Sequence, residues 1–70
     1  MTYEQKLQII RGCIDDIKEL GDNNHLSANE KQQILRAIDT YTSLLDDAEQ
    51  GKMDIDLLHE NISSFLYYVQ

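Results

Sequence analysis

Apolar side chains recur along this chain in three runs, each with the period of an amphipathic helix. The middle run is the longest: Ile34, Ile38, Tyr41, Leu45 and Ala48 follow at spacings of four, three, four and three. Leu35, Ala37 and Leu44 flank that seam, and a stripe so wide suits a helix that touches two neighbours. Just ahead, Ser27-Ala28-Asn29-Glu30 is an S-x-x-E capping box, in which the Ser27 hydroxyl accepts from the Glu30 amide and the Glu30 carboxylate from the Ser27 amide. Gly51 follows the run and supplies a left-handed stop. The stretch Ser27–Gln50 is therefore expected to be the wall on which the rest of the chain packs.

The other two runs obey the same rule. Thr2-Tyr3-Glu4-Gln5 is a T-x-x-Q box, followed by Tyr3, Leu7, Ile10, Ile14 and Ile17, with Ile9, Cys13 and Leu20 on an adjacent stripe. Gly21 can end that helix. The turn-rich segment Gly21-Asp22-Asn23-Asn24-His25-Leu26 is short enough to make the first two helices antiparallel. After Gly51-Lys52-Met53, Asp54 stands as an N-cap with Met53 and Leu58 at the staple positions, and Ile55, Leu58, Ile62, Phe65 and Val69 form the third seam. The pattern predicts an all-α fold: a small up-down-up three-helix bundle, one helical domain over 1–70 with helices at about 3–20, 28–50 and 55–69. A helical hairpin whose third helix completes a partner's core in a homodimer fits the same seams. The chain shows no internal repeat, low-complexity segment or linker.

Composition narrows the setting. A chain of 70 residues hides only roughly 60% of the surface that its unfolded form exposes, so its stability is small and packing must hold the helices together. With 41% hydrophobic residues, no proline and three glycines, it can still form a core of uninterrupted helices. The single Cys13 excludes an intrachain disulfide and fits a reducing compartment. The longest apolar run, Phe65–Val69, is too short to span a membrane, and Met1–Lys6 lacks a signal-peptide pattern. A cytoplasmic location is expected.

Charge changes the picture more. The net charge is −7, from thirteen acids and six bases, which opposes direct binding to nucleic-acid phosphates. Up to Arg36 six acids face five bases, whereas beyond it seven acids face only Lys52. Asp46, Asp47, Glu49, Asp54 and Asp56 crowd the second turn, three of them at a helix end whose dipole is already negative. The ordinary reading is a solvated end that keeps the protein soluble. The functional reading is an acidic docking surface for a basic protein partner. The run lacks the D-x-[DN]-x-[DN]-G pattern of a calcium loop.

The aromatic end Phe65–Val69 carries more apolar groups than one seam buries, so Leu57, Tyr67 and Tyr68 are candidates for an apolar interface. Gly12 falls opposite the first seam, where glycine costs about 0.8–1 kcal/mol against alanine and permits close approach of another backbone. His25 and His59 have no second histidine or cysteine at a ligand spacing, and Cys13 has no activating base beside it in the sequence. No metal site, cofactor or catalytic constellation is expected, and the chain reads as a non-enzyme.

Thr2, the Leu26-Ser27-x-x-Glu30 step, Arg36-Ala37-x-Asp39 and Tyr68-Val69-Gln70 resemble the small enterobacterial Hha-like co-regulators, which bind a nucleoid-structuring protein. That family's basic, histidine-containing stretch is replaced here by Thr40-Tyr41-Thr42, so its function is not carried over. In size and charge the chain is also similar to the acidic helical immunity proteins of bacteriocin systems. The leading expectation is a small binding module that inhibits or modulates a larger basic partner, such as a DNA-binding protein or nuclease, by presenting carboxylates in place of phosphates. The alternatives are an assembly protein that self-associates through the third helix, or an immunity-like protein.

Overall fold

The computed structural model describes residues 1–22 and 25–69. They form three α-helices, α1 (Tyr3–Gly21), α2 (Ala28–Glu49) and α3 (Ile55–Val69), with no strand among the described residues. Two residues of the expected Gly21–Leu26 turn, Asn23 and Asn24, lie outside the described residues, as does Gln70.

Each helix start is closed by its own side chains. Thr2 Oγ1 accepts the Gln5 N–H at 3.2 Å while Gln5 Oε1 accepts the Thr2 N–H at 2.8 Å. Ser27 and Glu30 repeat the exchange at 3.2 and 3.3 Å. Asp54 Oδ1 accepts the N–H groups of Asp56 and Leu57, at 2.8 and 3.3 Å, and so caps α3. Two donors that would lack an intrahelical partner are satisfied at each start.

The helix ends differ from one another. Gly51 has φ 78°, and its N–H donates to the Ala48 carbonyl at 3.1 Å while the Lys52 N–H donates to the Asp47 carbonyl at 2.8 Å. These paired bonds make a Schellman end of α2. Gly21 does not play that part for α1. It is buried within the helix, and Asp22 closes the end in right-handed geometry by donating to Lys18 and Glu19. A β-carbon on Gly21 would lie 3.1 Å from Cγ2 of Ile34, so the missing side chain lets α2 come close.

Side-chain contacts fix the direction of each helix. At one end the Tyr3 hydroxyl donates to the Ala48 carbonyl, and at the other Gly21 meets Ile34, so α1 and α2 are antiparallel. Lys6 Nζ reaches Asp56 Oδ1 at 2.7 Å, which sets α3 beside α1 in the same direction. Tyr41 joins α2 to α3: its ring lies 5.7 Å from that of Phe65, tilted by 55°, and its hydroxyl donates to the Asn61 carbonyl at 3.4 Å. The result is the up-down-up three-helix bundle. In the alternative dimer, α3 would leave its own chain; instead it buries Ile55, Leu58 and Ile62 against α1 and α2 of the same chain.

The core corrects one expectation. The shared wall is α1, not α2. The first helix buries Leu7, Ile10, Ile14 and Ile17, and Ile10 and Ile17 are fully enclosed. On α2 only Ile34, Leu45 and Ala48 are buried; Ile38 and Tyr41 are half-buried, and Leu35 stays 53% exposed. The α2–α3 interface is the thinnest of the three. Because Lys6 and Arg11 are five residues apart, they diverge by roughly 140° around the axis. Lys6 thus pairs with α3 while Arg11 pairs with Glu49 of α2, at 2.7 Å each.

Candidate protein-binding surface

The five acids singled out in the sequence do gather at one end of the bundle, around the turn between α2 and α3. Most of them already have internal tasks. Glu49 is paired with Arg11 and Asp56 with Lys6. Asp54 is the cap of α3. Asp46 accepts from the Gln50 side-chain amide at 3.0 Å, and Asp47 is half-buried, with its carbonyl inside the Schellman end. Of the carboxylates that the α2 dipole opposes, Glu49 is offset by Arg11 reaching across from α1, a compensation that depends on tertiary pairing. The ion pairs are solvent-exposed, the Asp56 side chain at 71%, and each contributes about 0–1 kcal/mol.

Folding also redistributes the charge. The excess that crowds the second half of the sequence meets Lys6 and Arg11 in space. Asp15, Asp16 and Glu19, in the later part of α1, and Asp22, which closes it, stand toward the opposite end and are all exposed. No ion pair involves any of the four among the described residues. The negative surface therefore extends along the bundle, not only around the turn.

The apolar candidates are exposed but do not form one patch. Tyr67 is 88% exposed, Tyr68 82% and Leu57 51%. Leu57 and Tyr68 share one side of α3, yet eleven residues of helix set them roughly 16 Å apart, with exposed Asn61 and Ser64 between them. Tyr67 points to a different side, about 100° from Tyr68. Tyr68 instead joins Val69, Leu26, Gln33 and Ile34 around a depression where α3 ends beside the start of α2.

The outer side of α1, where the sequence marks Gly12, is a second surface. Ile9 is 37% exposed and borders two shallow depressions, one lined by Met1, Lys6, Asp56 and His59, the other by Met1, Gln5 and Gln8. Cys13, one helical turn on, is half-buried. Burial pushes its thiol above the usual value of 9.0, and the Asp16 carboxylate adds to the shift, both of which disfavour the thiolate. Burial likewise raises the Tyr41 phenol above 10.0. His59 is exposed. Among the described residues no three His, Cys, Asp or Glu side chains are placed to hold a metal ion, and no helix is long and apolar enough to cross a membrane.

Comparison with protein-family models, with curated proteins and with solved structures found no match. The functional reading therefore stands on this geometry and charge.

Proposed function

We propose that the chain is a small protein-binding module whose acidic surface engages a larger, basic protein, of the kind that itself holds nucleic acid, and modulates or inhibits it by occupying the place of phosphates. The observation that carries this reading is the surplus of exposed carboxylates left once Lys6 and Arg11 are engaged in ion pairs. A field of this sign raises the encounter rate with a cationic surface and repels nucleic acid itself. The turn acids Asp46, Asp47, Glu49, Asp54 and Asp56 contribute to steering, and exposed apolar neighbours supply the anchor.

The test begins with affinity enrichment and measures association kinetics for the protein recovered, using wild type and a variant with the turn aspartates changed to Asn and Glu49 to Gln. Asparagine also caps helices, so Asp54→Asn preserves the start of α3. A basic partner whose association slows in the variant, with a flatter salt dependence, supports the proposal. Unchanged binding at low salt, or a partner without basic character, sinks it.

The exposure of Tyr67 and Tyr68 favours a second reading, self-association through the end of α3. Sedimentation equilibrium of wild type and Tyr67→Asp separates the two. A dimer dissociated by the substitution assigns that end to self-association, and a monomer at all concentrations removes this reading.

A further inference from the structure

We infer that the outer face of α1 centred on Gly12 seats a basic amphipathic helix of the partner protein. The inference rests on the basic-partner reading above and gives it a location. Gly12 stands mid-helix and exposed, and a β-carbon built there would meet nothing within 4 Å. The bundle therefore has no steric need of a glycine at a position where glycine disfavours the helix. What the missing side chain offers is a notch into which an outside backbone can settle.

The surroundings of the notch define what fits it. One turn before it, Ile9 is exposed beside Met1 in the two depressions, an apolar footing. One turn after it come the exposed carboxylates of Asp15 and Asp16, followed by Glu19. The two cations earlier on α1 are turned to the flanks, Lys6 toward Asp56 and Arg11 toward Glu49. A partner helix crossing at Gly12 would lay apolar residues on Ile9 and Met1 and set lysines or arginines against Asp15, Asp16 and Glu19. A second copy of this chain fits less well. Docked antiparallel it would press Asp16 onto Ile9, and docked parallel it would press Asp16 onto its own equivalent.

The test titrates the isotope-labelled chain with a synthetic helical peptide, leucine on one face and lysine on the other, at moderate salt. Saturable amide shifts centred on Ile9, Gly12, Cys13 and Asp16 are expected. Gly12→Gln, which fills the notch with a better helix former, should raise the melting temperature yet weaken binding by about tenfold or more, as loss of a close backbone contact would. Shifts confined to the turn around Asp46, Asp47 and Asp54, with Gly12→Gln binding like wild type, overturn the inference and leave the basic-partner reading standing. No saturable shift anywhere overturns both. Concentration-dependent shifts without peptide, abolished by Gly12→Gln, would seat a second copy there and overturn the choice of occupant.

Discussion

The Tyr3 hydroxyl donates to the backbone carbonyl of Ala48, tying the first turn of α1 to the last turn of α2 across 45 residues of sequence. That carbonyl also accepts from the Gly51 N–H, so it keeps a partner if the phenol is removed. Tyr3→Phe should therefore destabilise the fold by about 0.5–1.5 kcal/mol, without an orphaned-group penalty. For a domain of this size each 1 kcal/mol lowers the melting temperature by about 4–8 °C. An unchanged thermal melt would show that the hydroxyl gains as much from water.

Two glycines should respond to alanine with opposite signs. Gly51 has φ 78°, where a β-carbon costs about 1–2 kcal/mol, so Gly51→Ala lowers the urea midpoint. Gly12 faces open space, and Gly12→Ala should raise stability by about 0.8–1 kcal/mol through helix propensity. Equal shifts for both would contradict the assigned backbone geometry.

The two cross-helix ion pairs are too exposed to outweigh the net charge. Each contributes about 0–1 kcal/mol, less as salt screens it, whereas the repulsion among thirteen acids against six bases is spread over the whole surface. Stability should therefore rise from low to moderate salt. A melting temperature that falls with added salt would mean that Lys6–Asp56 and Arg11–Glu49 dominate the electrostatics.

Alkaline pH should weaken the fold in a defined order. Burial raises the Cys13 thiol above 9.0 and the Tyr41 phenol above 10.0 in the folded chain, so the folded state holds those protons more tightly than the unfolded one. The contribution of Cys13 is complete below pH 9.0, its ordinary value, and is lost as pH rises through the higher folded value. Tyr41 behaves in the same way from 10.0 upward. Melting curves across this range should show the loss, and Cys13→Ser should remove its earlier phase. A pH-independent melting temperature above 9 would refute this assignment.

What could be read from the sequence was local. Both capping boxes, the Asp54 cap and the left-handed Gly51 depend on residues two to five apart, and each forms in the structure. The seams were legible for the same reason, because side chains on one stripe are buried together whatever lies opposite. The rank of the helices was not. Stripe width on α2 included Leu35, which faces solvent, and nothing in periodicity records how far each helix is rotated about its axis. That rotation decides that Lys6 and Arg11 reach different neighbours, so the internal pairing of Asp56 and Glu49 could not be foreseen. Gly21 misled in a similar way, because its lack of a side chain serves a contact with Ile34. The exposure of Ile9, which drew attention to the outer side of α1, likewise appears only once the other faces of that helix are covered.

The central position of α1 bears on how the chain comes together. The helix that takes part in the two larger interfaces is the first of the three in sequence, while α2 and α3 meet least. During synthesis α1 would expose one apolar flank to water until α2 emerges and the other until α3 does. A chain cut between Gln50 and Asp54 would leave a hairpin of α1 and α2 with an open furrow, into which a separate α3 would have to find its own way. The short α2–α3 turn serves chiefly as a tether, raising the local concentration of α3 beside the helix that needs it.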